Sequence, residues 1–566
     1  MAQGIRYKLF LYRTLRIAIL LLVTNHHPMR KNLPFPVGLW YKDDRRDDRF
    51  RQTEGFMYAK MYSSSVLGID GYVVEVEVDI SNGLPTFDLV GLPDSSVREA
   101  RDRVRAAVKN SGCQFPLQRI TTNLAPADLK KEGSSFDLAI AAGVLAASGQ
   151  VPARGWEETL FLGELALDGT LRSLNGVLPM VMAANQAGFS RVLLPVENAA
   201  EAQLVEGLDV IPVSSLQETM GYLCGEWEPQ SVDIPPDQGK EEEPHPDDFA
   251  DVRGQPHVKR AMEVAAAGMH NLLFIGPPGS GKTMLARRIP SILPEMTMQE
   301  SLEVTKVQSI AGLLNRKGSL VTRRPFRSPH HTISQAGLVG GGSTPKPGEV
   351  SLAHRGILFL DEMPEFTKGA LEVLRQPLED REVTVARARA VLTFPAQFML
   401  VGSMNPCPCG YFGYEEDRAC TCTPQQVRRY RSKLSGPLLD RIDIHVEVPR
   451  VNYQTLTSSQ REETSETIRQ RVAQAHAVQS ERYRDTSILH NAAMPSAYIR
   501  DHCRLNKDSR DLLKQSFDTL GLSARAHDRI LKLARTIADL EGKDLIDTAH
   551  IAEAIQYRTL DRKWWE

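Results

Sequence analysis

Residues 271–290 read NLLFIGPPGSGKTMLARRIP, and that stretch decides the fold. Leu272 to Ile275 are apolar without a break and read as a four-residue strand. The loop Gly276, Pro277, Pro278, Gly279, Ser280, Gly281, Lys282, Thr283 follows, and a helical pattern comes after it. Strand, G-x-x-x-x-G-K-T loop and helix in that order predict a phosphate-binding loop. Its glycines free backbone N–H groups to surround phosphate at a positive helix terminus. Lys282 supplies a cation to the β- and γ-phosphates, and the Thr283 hydroxyl is a ligand for Mg²⁺. The predicted cofactors are ATP and Mg²⁺.

Two further strands belong to the same prediction. Gly356-ILFL runs into Asp361 and Glu362. In a P-loop enzyme the first acid holds the Mg²⁺ shell, and the second orients or deprotonates the attacking water. A strand from Phe398 ends at Met404 and Asn405, where an amide beside the γ-phosphate suits a water-positioning sensor. Apart from a P-loop, either strand end reads as an ordinary turn.

The 566 residues around this site predict three to four domains. An apolar fraction of 42% and a charged fraction of 24% exclude a disordered chain, a coiled-coil rod and a polytopic membrane protein. Lysine and arginine number 68 against 70 acids, so any nucleic-acid function rests on local patches. Seven cysteines argue for a reducing compartment, and a cytoplasmic protein without membrane association is expected. Residues 1–60 form an extension of different character, with Arg clusters and no core pattern. We read it as upstream sequence ahead of a start at Met57 or Met61, with a genuine disordered or targeting extension as the other reading. Residues 61–227 make an α+β domain, in which Val74, Val76, Val78 and Ile80 alternate with acids as in a half-buried strand. A capping box at Ser96 and Glu99 starts a helix with a Val97, Ala100, Val104, Val108 stripe. An acidic, Pro-rich linker at 228–248 precedes the ATPase core, 249–450, and a helical segment, 451–566.

Two clusters stand apart from the ATP motifs. From Lys306 to His331 there are six Lys or Arg and no acid; Arg323, Arg324 and Arg327 lie here. Residues 382–394 read as a hairpin with Arg387 and Arg389 near its tip. These are the DNA-contact candidates, against a plainer reading as solvated loops with intersubunit salt bridges. Cys407, Cys409, Cys420 and Cys422 form two C-x-C pairs, either a tetrahedral Zn²⁺ site or free, redox-active thiols.

P-loop, Asp-Glu strand and Met-Asn strand in this order resemble AAA+ ATPases, and specifically the magnesium-chelatase-like branch called ComM or YifB. The resemblance covers about residues 61–566, including RPFRSPHH at 324–331, NPCPCG at 405–410, LLDRID at 438–443 and LSARAHDRILKLARTIADL at 522–540. It implies that Arg441 is an arginine finger reaching a neighbouring subunit's γ-phosphate. Arg525 is similar to the second sensor arginine of the helical lid, and the Val252 to Gln255 segment to a turn packing against adenine. Both insertions resemble pore-lining hairpins of ring motors. Residues 131–137, KEGSSFD, resemble the serine loop of Lon-type proteases, with Ser135 at the nucleophile position. Leu178 stands where the catalytic lysine belongs, so peptide hydrolysis is not expected. The resemblance implies a homo-hexameric motor on branched DNA, performing branch migration in recombination or natural transformation. The alternative is a chelatase-like remodeller of a protein partner.

Overall fold

The computed structural model describes residues 56–565 except 154, 230–246, 315–319, 343–344, 388–389, 415–417, 458–461 and 521. The extension before residue 56, most of the 228–248 linker, and Arg389 lie outside the described residues.

Five parallel strands build the ATPase core, in the order Phe326–Arg327, Ile357–Leu360, Met399–Met404, Leu272–Ile275, Ile444–Glu447. Side chains of consecutive strand residues point to opposite faces, and both faces here are buried, which explains the unbroken apolar runs. Leu272, Phe274, Phe359, Val401 and Val446 face helix Pro256–Gly268 and the C-terminal helices, sharing one core with Ile530, Leu533 and Ile551. Leu273, Ile275, Leu358 and Leu360 face the other way, onto Met363, Val383 and Phe394. Helix Ala524–Leu540 packs on helix Pro256–Gly268 and on helix Thr548–Trp565, and these two lie against strand Ile444–Glu447. Gly276, Asp361, Asn405 and Val448 each follow the last residue of a strand, so they gather on the carboxyl edge, where open parallel sheets bind ligands.

A second, seven-stranded sheet runs Thr86–Val90, Arg119–Ala125, Asp70–Ser81, Phe56–Leu67, Thr159–Phe161, Arg191–Pro195, Asp209–Val213. Val74, Val76, Val78 and Ile80 are buried as the alternation predicts. The first strand starts at Phe56, not after residue 60, because Phe56 to Lys60 pair antiparallel with Ser81 to Glu77. The helix cap also differs: Asp94, not Ser96, accepts the Val97 N–H, at 2.9 Å, and the helix runs Ser95–Asn110. An aspartate placed to cap outcompetes a serine two residues later, whose hydroxyl donates to Asp94 instead. Within this sheet the strands from Thr159 on pair in parallel, beside a small antiparallel pair Glu164–Leu165 and Leu171–Arg172, so half of this domain is wound as α/β.

Both sheets belong to one compact unit, joined through helix Met298–Ala311. Lys306 pairs with Asp70 at 2.6 Å, the Ser309 carbonyl accepts the Gly176 N–H at 3.1 Å, and the Ser309 hydroxyl donates to the buried Glu201 carboxylate. Burial raises the Glu201 pKa against these hydrogen bonds.

Candidate active site

The P-loop folds as its residues dictate. Gly276 lies so close to the Val448 carbonyl that an added Cβ would sit 2.2 Å from it. Gly281, at φ +90°, turns the chain into helix Lys282–Arg288. The buried Lys282 ammonium donates to the carbonyls of Gly276 and Pro277, both at 2.9 Å, and to Asn405 Oδ1 at 3.2 Å. Burial draws its pKa down to about 8, with Asp361 and Glu362 pulling the other way. Thr283 Oγ1 donates to Asp361 Oδ2 at 2.8 Å, and the other Asp361 oxygen accepts from the Ser403 hydroxyl and from the Glu362 N–H. Glu362 takes a left-handed backbone, φ 50°.

The residues fit the ATP and Mg²⁺ that the loop implies. Thr283 and Asp361 already touch, one hydroxyl and one carboxylate, the protein's usual share of an octahedral Mg²⁺ shell. Lys282 has only backbone and amide acceptors, which phosphate oxygens can replace, and the buried Ser280 hydroxyl has no partner. When bound, the ion would neutralise charge on the β- and γ-oxygens. Gln255 Nε2 donates to the Pro449 carbonyl at 2.7 Å and to the Ser280 carbonyl at 3.4 Å, tying the Val252 to Gln255 turn to the loop.

Arg441 and Arg525 are not at this edge. Asn271, just before the P-loop strand, donates its side-chain N–H to the Arg441 carbonyl at 2.8 Å. Arg441 therefore lies at the amino edge, paired with Glu379 and with the Pro437 carbonyl. Arg525 is exposed at the start of a helix whose Arg529 pairs with Asp443, also at the amino edge. Four residues at about 3.3 Å rise separate the edges by roughly 13 Å before any loop is counted.

Four thiols converge beside the P-loop. Cys407, Cys409, Cys420 and Cys422 Sγ atoms all lie within 4.8 Å of one another, and the first three are 3.3, 3.5 and 3.7 Å apart pairwise. Tetrahedral zinc with Zn–S near 2.3 Å needs sulfurs about 3.8 Å apart, so the set fits Zn²⁺. The Phe412 N–H donates to Cys407 Sγ at 3.4 Å. An added Cβ on Gly410 would meet Pro278 at 2.5 Å, so the knuckle rests on the phosphate loop.

The basic insertion is less basic than its composition. Arg324 is a correction: its side chain is only 7% exposed, paired with Glu300 at 3.1 Å and bonded to the Pro294 and Arg355 carbonyls. Those bonds engage all three of its guanidinium nitrogens and leave it little to offer a nucleic-acid backbone. Arg327 makes two bonds to Glu349, at 2.6 and 2.7 Å. Arg323 is exposed, and Arg387 ends the outgoing strand of hairpin Glu382–Pro395, opposite Ala390. In the N-terminal domain, Ser135 donates its hydroxyl to the Ser64 carbonyl at 2.9 Å, and the Lys131 amine is committed to the Pro126 and Leu129 carbonyls. Leu178 is buried.

Three residues at the site were not singled out from sequence: Ser403, Tyr411 and Arg450. Arg450 Nη2 donates to the Pro278 carbonyl at 3.0 Å and its guanidinium lies 5.5 Å from the Tyr411 ring. A lone serine in the otherwise apolar run 399–404 was the available signal for Ser403.

A parallel sheet carrying a P-loop, an acid pair and a strand-end asparagine on one edge defines an AAA+-type nucleotide site. Residues 248–456 match the family model described as magnesium chelatase, subunit ChlI; 76–198 match subunit ChlI of Mg-chelatase, and 462–558 its C-terminal region. The chain is 45% identical over 515 residues to competence protein ComM of Haemophilus influenzae, covering 89% of this chain and 98% of ComM. It is 42% identical over 506 residues to YifB of Escherichia coli, covering 89% and 97%. The magnesium-chelatase 38 kDa subunit of Rhodobacter capsulatus matches over 174 residues at 28% identity, 28% of this chain and 50% of that one. The chain belongs to the magnesium-chelatase-like ComM/YifB family, a branch of the AAA+ ATPases. Among the described residues no helix is long and apolar enough to cross a membrane.

Proposed function

We propose that the chain is an ATP-hydrolysing ring motor that moves on branched DNA and drives branch migration. The observation that carries the motor reading is the division of charge between the sheet edges. Lys282, Thr283 and Asp361 stand on one edge and Arg441 on the other, so a complete site needs a second copy. In this reading Lys282 binds the phosphates, and Thr283 and Asp361 hold Mg²⁺. Glu362 takes the proton of the attacking water, and Asn405 orients that water. Arg441 and Arg525 act on a neighbour's nucleotide in a hexamer. An arginine supplied this way is worth about a thousandfold or more in rate. Support for DNA comes from the likeness to a protein named for competence and from Arg323, Arg387 and Arg389 on the insertions. Zn²⁺ on the four cysteines would hold the loop after Asn405 against Pro278.

A second reading, remodelling of a protein partner, is favoured by the internal pairing of Arg324 and Arg327, which removes two cations from the channel. One experiment separates the two: incubate the protein with ATP and a labelled four-way junction, beside Lys282→Ala. ATP-dependent conversion to duplex arms by the wild type alone supports the DNA motor. No conversion, together with an ATPase that DNA does not stimulate, overturns it.

A further inference from the structure

The amino edge of the ATPase sheet holds a cavity of about 120 Å³, opposite the P-loop, that the ATP reading does not use. Arg324, Arg355, Arg381, Arg441, Arg529 and Lys532 line it, against only two carboxylates, Glu300 and Asp443. Both acids are spoken for. Glu300 pairs with Arg324 at 3.1 Å and Arg355 at 3.8 Å, while Asp443 pairs with Arg529 and accepts from His270 and the Asn271 N–H.

The cations left over are Arg381 and Lys532. Lys532 reaches one acceptor, the Ala492 carbonyl at 3.3 Å. The half-buried Arg381 hydrogen-bonds through its backbone to Pro377 and Ala396, but its guanidinium has no hydrogen-bond or ion-pair partner among the described residues. Burial lowers the pKa of both groups, in Lys532 against the pull of Asp443. His490, also on the wall, keeps a buried Nδ1 without a partner. Holding a cation partly away from water without an opposite charge is costly, and a bound anion would offset that cost. Two cations without an acid partner, beside four that are paired, around a space of this size suit a tetrahedral oxyanion, with Arg381 offering the planar fork that phosphate oxygens accept.

We propose that Arg381 and Lys532 form a second phosphoryl-anion site on the amino edge of the sheet. The anion is a phosphate group, either free orthophosphate or the terminal phosphate of a nucleotide carried by another copy of this chain. The site does not depend on the motor reading, because it can be tested without nucleotide.

The test begins with Lys282→Ala, whose P-loop has lost its phosphate-binding cation, titrated with orthophosphate by calorimetry and by thermal melting. Saturable binding is expected, weakened at least tenfold when Arg381→Met or Lys532→Met is added. Phosphate should raise the melting temperature of the parent but not of the added variants. The variants themselves should melt no lower than the parent without phosphate, since neither half-buried cation has an ion-pair partner among the described residues to lose. That separates lost binding from lost fold. Absence of saturable binding, or binding that both substitutions leave unchanged, overturns the proposal. A second arm identifies the source, using Lys532→Met with Lys282 intact. Turnover that falls while its own nucleotide binding holds assigns the phosphate of another copy. Turnover that is unchanged, with orthophosphate binding lost, assigns free phosphate.

Discussion

Asn271 ties neighbouring strand starts together at the amino edge of the ATPase sheet, and replacing it by alanine has a calculable effect. Its Oδ1 accepts the Leu400 N–H at 2.9 Å, its Nδ2 donates to the Arg441 carbonyl at 2.8 Å, and its backbone carbonyl accepts from Asp443 and Ile444, both at 3.0 Å. Asn271→Ala keeps the backbone bonds and deletes the two from the side chain. Each contributes about 1 kcal/mol net, and the Leu400 N–H, left unpaired in a buried strand, adds roughly 1 kcal/mol more. A loss of about 3 kcal/mol in a core of this size lowers the melting temperature by roughly 6–12 °C. The P-loop stands at the far end of the strand, so MgATP affinity should stay within about twofold, under 0.5 kcal/mol. Turnover should fall well beyond that, because the segment carrying Arg441 loses its anchor. Melting by fluorescence, nucleotide binding and steady-state ATPase on the same preparation check all three. A variant that melts within about 1 °C of the wild type refutes the hydrogen-bond accounting. Unchanged turnover in a variant that does lose stability refutes the role given to the Arg441 segment.

Glu303 makes stability depend on acid. Burial would raise its pKa, but hydrogen bonding to His354 and the charge of Arg355 outweigh that and bring it from the ordinary 4.5 to about 2. A carboxylate with a depressed folded pKa stabilises above 4.5 and loses that contribution as pH falls toward 2. With a third of the side chain exposed, screening reduces the nominal ~3 kcal/mol to about half. The melting-temperature gap between wild type and Glu303→Gln should therefore be full at pH 7 and shrink below pH 4.5, and a gap that stays constant into acid would contradict it. For the cysteine cluster, elemental analysis of freshly purified protein should give about one zinc per chain. Cys409→Ser should lower both zinc content and nucleotide affinity, since Gly410 rests on Pro278; metal-free wild type would remove the site.

What was legible in the sequence was local. Residues 272–283 fold through their own order, because a buried strand, a glycine-rich turn and a helix start are each set by neighbours in the chain. The acid pair and Asn405 could be placed once that strand was known, since parallel strands bring their ends to one edge. What escaped depends on distant partners. Ser403 meets Asp361 across 42 residues and Arg450 meets Pro278 across 172. The basic run around Arg324 looked like exposed charge because Glu300, 24 residues earlier, only arrives beside it in the folded chain. Asp94 took the cap assigned to Ser96 because two capping side chains lay two residues apart and the pattern alone did not rank them.

The short strands also explain why the cations are divided. A four-residue strand buried on both faces leaves polar groups only its two ends, and the P-loop with its acids occupies one of them. A further arginine placed within reach of Asp361 and Glu362 would pair with them and block the ion that those acids are shaped to hold. Set at the other end, Arg441 pairs with Glu379 near the surface, a bond that can be exchanged for a phosphate at little cost. Arg381 and Lys532 behind it have no such acid. An isolated copy of this chain therefore has a binding edge without its activating charge and a charged edge without its anion. In the proposed motor, stacking one copy's carboxyl edge on the next one's amino edge would satisfy both, a head-to-tail contact of the kind that closes into a ring when the rotation between copies permits.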